Sequence, residues 1–163
     1  MGKVIAFSNQ KGGSGKTTLS TNIAVLWSNS GYKVAVIDAD AQKSLTYWLE
    51  ERKKYYGDDD IGIDSYNFDT RNLIEEIKQI KRKYDFIIID SPPSITFDTM
   101  QIIKASNRVF VPVQPSPLDL MATIPFLNLA KQENKSPMIF NRYNVTILFN
   151  SGEIVINSRR SYY

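Results

Sequence analysis

The sequence contains no cysteine, which excludes disulfides and thiolate metal sites. It has no long apolar run either. The longest, such as Phe86-Ile87-Ile88-Ile89, fall far short of the roughly 18 residues a membrane span needs. The opening residues predict no signal peptide, because Lys3 is followed by a short apolar stretch and then by polar residues. They do not suit myristoylation, since Ala6 stands where serine or threonine is wanted. No internal repeat or low-complexity segment is visible. Neither sign of charge is in large excess, with 20 lysines and arginines against 17 aspartates and glutamates. The net charge of +3 permits contact with nucleic acid without requiring it. The basic run Lys78, Lys81, Arg82, Lys83 reads equally well as a solvated helix face or as part of such a contact. These features predict a cytoplasmic chain.

A length of 163 residues, 42% of them hydrophobic and 23% charged, predicts a single globular domain over 1–163. Apolar strand-like runs alternate with helical segments. Strands are expected at Val4–Phe7, Lys33–Ile37, Ile61–Tyr66, Phe86–Ile89, Arg108–Val113 and from Met138 to Phe140. Helices are expected at Thr17–Asn29, closed by Gly31, and at Ser44–Lys54 with Ser44 as N-cap. Others are expected at Thr70–Tyr84, Asp98–Ala105 and Leu118–Asn134, with Pro125 kinking the last or marking its start. Gly57-Asp58-Asp59-Asp60 reads as a solvated turn, since it lacks a calcium-loop pattern. This alternation predicts an α/β fold: a doubly wound, mostly parallel sheet with helices on both faces.

Between the first strand and first helix lies Lys11-Gly12-Gly13-Ser14-Gly15-Lys16-Thr17-Thr18. A glycine-rich turn in that context cradles phosphate, with backbone N–H groups and a helix N-terminus turned toward it. Lys16 is placed to reach the β- and γ-phosphates, Thr17 to ligate Mg²⁺ and Thr18 to reach the α-phosphate. The usual phosphate loop begins with glycine; here Gln10 holds that place and Lys11 follows it. Two lysines therefore share one phosphate site, and the outer one needs an anion of its own. Asp38 and Asp40 follow the second strand, Asp90 the Phe86–Ile89 strand, and Asn141-Arg142 the last. Ligands bind beyond the carboxyl ends of parallel strands, so topology gathers all of these at one pocket.

KGGSGKTT resembles the deviant Walker A motif of the ParA/MinD group of P-loop ATPases, whose signature residue is the early lysine. Asp38-Ala39-Asp40-Ala41-Gln42 resembles the group's Asp-x-Asp-Pro-Gln motif, with Ala41 departing from it. Asp90-Ser91-Pro92-Pro93 resembles its Walker B, and Val111 to Asp119 resembles a stretch of small plasmid-partition ParA proteins. The resemblance covers residues 1 to about 143. Without cysteine, the iron–sulfur reductase relatives are excluded.

The resemblance implies ATP and Mg²⁺ as cofactors. It gives Lys11 a role on the nucleotide of a second subunit, Asp40 the positioning of the attacking water, Asp38 and Asp90 the metal, and Asn141 and Arg142 an adenine edge. A carboxylate of ordinary pKa, about 3.9, orients a water better than it deprotonates one. The implied function is an ATP-hydrolysing switch for plasmid or chromosome partitioning, cytoplasmic and nucleoid-associated. It would be a homodimer in the ATP state, bind DNA non-specifically and answer to a centromere-binding ParB-like protein, with no membrane expected. A MinD-like membrane-cycling ATPase would need a C-terminal amphipathic helix, and Glu153–Asn157 is short and β-rich. A P-loop tyrosine kinase has only Tyr162-Tyr163 in its favour. Residues after about 144 look unlike the end of small ParA proteins, so a truncated, poorly active nucleotide-binding remnant is a further alternative. That alternative predicts an exposed apolar patch.

Overall fold

Successive residues of a strand face opposite sides of a sheet, so strands that are apolar at every position need cover on both faces. The computed structural model describes residues 2–57, 62–114 and 116–140, with the backbone of 141, 145–150 and 153–158. In chain order the strands are β1 (Lys3–Phe7), β2 (Val34–Asp38), β3 (Ile63–Tyr66), β4 (Phe86–Asp90), β5 (Arg108–Val113) and β6 (Met138–Asn141). Side by side they run β3-β2-β4-β1-β5-β6, every neighbouring pair parallel. The helices are α1 (Lys16–Asn29), α2 (Ser44–Tyr56), α3 (Leu73–Ile80), α4 (Phe97–Ala105) and α5 (Pro117–Gln132).

On one face, Val4, Ala6, Ile37, Ile87 and Ile89 pack on Leu73, Ile77 and Ile80 of α3 and Ile102 of α4. On the other, Ile5, Phe7, Val36 and Ile88 pack on Ala24 of α1 and Leu45 and Leu49 of α2. Val109, Val111 and Val113 of β5 meet Leu120, Phe126 and Leu127 of α5. The doubly wound sheet expected from the alternation is the fold observed. Ile87, Ile88 and Ile89 are all fully buried, and each contributes about 2 kcal/mol by leaving water. That burial fixes the position of Asp90 at the end of β4.

Local structure corrects the expected bounds of the 70–84 helix and the cap at Ser44, and settles the choice at Pro125. The helix expected over 70–84 is a 3₁₀ turn at Thr70–Asn72 followed by the short α3. The Asp69 carboxylate caps the turn by accepting from the Arg71 amide. The chain then turns into β4, with the Lys83 amide donating to the Ile80 carbonyl and the Gly2 amide to that of Lys81. A Cβ on Gly2 would collide with the Tyr84 carbonyl oxygen. Ser44 is not the N-cap of α2; it is the first helical residue, and Lys43 precedes it with φ 53°. Pro125 lies inside α5 and does not start it. The helix begins at Pro117, capped by the Ser116 hydroxyl accepting from the Asp119 amide. Beyond the sheet, β7 (Val145–Asn150) and β8 (Glu153–Ser158) pair antiparallel as a separate hairpin. The aspartate run 58–60 lies outside the described residues. No described helix is long and apolar enough to cross a membrane.

Candidate functional site

The loop after β1 is anchored before it turns. Asn9, 1% exposed, donates its amide to the Pro112 carbonyl (2.8 Å) and to the Thr123 hydroxyl (3.4 Å). Its Oδ1 accepts from the Lys11 amide at 3.3 Å. The Gln10 side-chain amide donates to the Ala122 carbonyl, and the Ser91 hydroxyl donates to that of Ser8 at 2.7 Å. The loop root is thus tied to β5, α5 and the end of β4. Gly13 and Gly15 have φ of 70° and 96°, a region glycine enters without steric cost. A Cβ at either would touch nothing within 4 Å, so backbone conformation, not packing, demands glycine there.

Lys16 opens α1 and is 6% exposed. Its Nζ donates to the Lys11 carbonyl at 3.1 Å, across the loop. Burial lowers its pKa, while Asp90 and Asp40 pull it the other way. The Thr17 hydroxyl donates to Asp90 Oδ2 at 2.6 Å, and the Ser20 hydroxyl to Oδ1 at 3.2 Å. Burial pushes the Asp90 carboxyl up to about 6; the two hydroxyls oppose that shift and nearby Asp38 adds to it. Asp40, with Lys16, Thr17 and Thr18, lines a cleft of about 370 Å³. A second cleft, of about 530 Å³, runs from Gly13, Ser14 and Thr18 to Pro112, Val113 and Phe140. The first is polar and suits phosphates; the second is walled by apolar groups and suits a flat base.

The structure thus brings Gly12 to Thr18, Asp40 and Asp90 together. Asp38 is paired with Asp90 across the ladder, but its carboxylate faces α2. Its Oδ2 accepts from the Thr46 amide (2.8 Å) and hydroxyl (2.9 Å), and its Oδ1 from the Asp40 amide (3.2 Å). Asp38 therefore does the capping that Ser44 does not. Lys11 finds its anion in its own chain: its ammonium pairs with Asp119 of α5. Asn141 is described by its backbone alone, opposite Val113, and Arg142 lies outside the described residues. Asn9, Ser20 and Thr46 were not singled out by the sequence, and Asp119 was named only as the end of the Val111–Asp119 stretch. The available signals were polar residues directly after an apolar strand (Asn9) and a hydroxyl three residues after Thr17, on the same helix face (Ser20).

A nucleotide with its metal fits this donor set. The Ser14 hydroxyl is buried without a partner among the described residues, beside a glycine turn at a helix N-terminus. No described cluster of three or more carboxylates or other strong ligands exists. One hydroxyl and one carboxylate suit Mg²⁺, which keeps several waters and takes its remaining ligands from phosphate oxygens.

Comparison with known proteins agrees. The family model for the CobQ/CobB/MinD/ParA nucleotide binding domain matches residues 5–156. The maintenance of carboxysome distribution protein A of Halothiobacillus neapolitanus is 33% identical over 85% of this chain and 65% of its own length. The sporulation initiation inhibitor protein Soj of Bacillus subtilis is 32% identical over 70% of this chain and 59% of its own. This chain thus spans less than two thirds of either relative. Among solved structures, the cell division protein MinD of Aquifex aeolicus superposes with a TM-score of 0.72 at 23% identity, covering 85% of this chain and 68% of that one.

Proposed function

The chain belongs to the CobQ/CobB/MinD/ParA family of nucleotide-binding domains, and from that premise we propose that it is an ATP-hydrolysing dimeric switch of the partition type. Its cofactors are ATP and Mg²⁺, and its partners a second copy, non-specific DNA and a ParB-like protein at the centromere. It works in the cytoplasm, on the nucleoid. Lys16 and the amides of Gly12 to Thr18 bind the phosphates. Thr17 and Asp90 hold the metal, which when bound offsets phosphate charge. Asp40 orients a water toward the γ-phosphate. Asp38 supports that geometry by fixing α2 and the Asp40 amide. The resemblance assigns Asn141 and Arg142 to the edge of the base.

The observation that carries the switch is the division of labour between the two lysines. Lys16 is buried within its own loop, whereas the Lys11 side chain is 44% exposed and pairs with the buried Asp119 of its own α5. A half-exposed cation at the rim of a phosphate site, held by Asp119 in the nucleotide-free chain, can leave that carboxylate to complete a partner's site in trans, as an arginine finger does. Losing the γ-phosphate then removes the anion that holds both lysines, and the dimer loosens. Lys11→Ala should keep nucleotide binding by the monomer and lose ATP-dependent dimers in light scattering. An unchanged dimer would refute the role in trans.

A second reading is a nucleotide-binding chain with little turnover. The edge of the sheet favours it: β6 is the outermost strand, and Met138 and Phe140 on it are 49% and 48% exposed. That apolar surface lies beside the cleft proposed for the base, which Phe140 itself lines. ATP turnover with and without DNA separates the two readings.

A further inference from the structure

The end of the sheet remote from the phosphate loop carries a concentration of positive charge that the nucleotide chemistry does not use. The segments leading into five adjacent strands each bring basic residues there: Lys33 before β2, Lys81, Arg82 and Lys83 before β4, Lys3 at the start of β1, Arg108 at the start of β5 and Lys135 before β6. Against these seven cations the same segments hold two carboxylates, Asp85 and Glu133, leaving +5; the segment before the sixth strand, β3, carries Asp58, Asp59 and Asp60 in the sequence instead.

Hydrogen bonds show that these segments are contiguous. Asp85 accepts from the Lys33 amide, and its carbonyl accepts from Lys3. The Gly2 amide donates to the Lys81 carbonyl, the Lys81 ammonium reaches Asn107, and that of Lys135 reaches the Ser106 carbonyl. Glu133 is matched by Lys104 at 3.7 Å. Lys3, Lys33, Arg82, Lys83 and Arg108 are exposed, and none forms an ion pair with a described residue. Lys33 and Lys83 border one cleft of about 330 Å³, which Asp64 also lines.

We infer that this basic pole is the surface on which the protein rests on duplex DNA, through the phosphate backbone and without base readout. The inference rests on the partition reading above. From β2 to β5 the exposed cations cover about 14 Å, at about 4.8 Å per strand; along that distance a duplex presents about eight phosphates. A lipid surface is a poorer match, because membrane-lying surfaces also insert apolar side chains. The exposed ring beside the pole, Tyr32, is packed edge-on against Phe86 at 5.1 Å. The pole also lies about 17 Å from the nucleotide loop, the length of a five-residue strand, so both surfaces can be occupied together. Two subunits joined at their nucleotide faces turn their poles away from each other, so the dimer can hold two separate duplex segments while each pole binds on its own.

The test is fluorescence anisotropy with a random-sequence 40-base-pair duplex, in ATP and in ADP, between 50 and 200 mM salt. Arg82→Glu/Lys83→Glu/Arg108→Glu should weaken binding at least tenfold and lower the logarithmic salt slope by about 2.7, at about 0.9 per lost phosphate contact. ATP binding by calorimetry should be unchanged. If that variant fails to fold, the Gln triple variant at the same positions takes its place, with the same loss of slope. Wild-type affinity and slope in a folded variant would overturn the inference and leave the partition reading intact. So would retained DNA binding with lost binding to phosphatidylserine vesicles, which would assign the pole to membranes. A wild-type protein that binds ATP but no duplex in any nucleotide state would overturn the partition reading and this inference with it.

Discussion

Removing either partner of the Lys11–Asp119 pair should destabilise the protein unequally. The Asp119 side chain is 8% exposed, that of Lys11 44%. Breaking a fully buried pair costs about 3 to 5 kcal/mol, because the surviving charge stays out of water. Lys11→Ala strands Asp119 in that way, with two mitigations. The pair is half open to solvent on the lysine side, and Asp119 lies in the first turn of α5, where helix amides favour negative charge by about 0.5 kcal/mol. The expected cost is about 1 to 2 kcal/mol. Asp119→Asn instead frees a lysine that turns to water, at about 0.5 kcal/mol. The double variant should therefore be more stable than Lys11→Ala alone. Urea unfolding at pH 7.5 and 0.15 M salt measures all three. Equal costs for the two single changes, or a larger one for Asp119→Asn, would refute the reasoning. Asp119→Asn should also lower the protein concentration at which ATP-dependent dimers form, since Lys11 no longer has to leave a carboxylate.

Lys16→Ala should abolish ATP binding in calorimetry, because it removes the one ammonium among the described residues that line the phosphate cleft. Asp40→Ala should leave ATP affinity within about threefold and reduce hydrolysis at least 100-fold, since a water-orienting group acts only in the reaction; steady-state phosphate release reads this. Asp90→Asn should stop Mg²⁺-dependent hydrolysis yet stabilise the nucleotide-free protein. The native carboxyl holds its proton up to about pH 6 and the unfolded one only to about 3.8, so the wild type loses stability as pH rises through that window. The gain for Asn should be about 1 to 2 kcal/mol at pH 7.5, after about 1 kcal/mol for weakened hydroxyl contacts, and should disappear below pH 4.

The sheet was legible because fully apolar strands such as Phe86–Ile89 occur only where both faces are covered. The phosphate loop was legible because glycine spacing and a following lysine encode backbone shape. Ends of elements were less so. The end of α3 at Ile80 depends on bonds from Gly2 and Lys83 to the carbonyls beside it, and the cap of α2 comes from Asp38, six residues before Ser44. The sequence shows a carboxylate but not what it faces: Asp38 and Asp90 end neighbouring strands, yet one turns to Thr46 and the other to Thr17. Asn9 and Asp119 act across sequence separations of about a hundred residues, which no local pattern reveals.

The most direct test of a nucleotide gripped by the first loop is titration calorimetry of the purified chain with ATP in the presence of Mg²⁺. One ATP per chain, with binding lost in Lys16→Ala, is the expected result. No heat of binding from the folded wild-type protein would contradict the account.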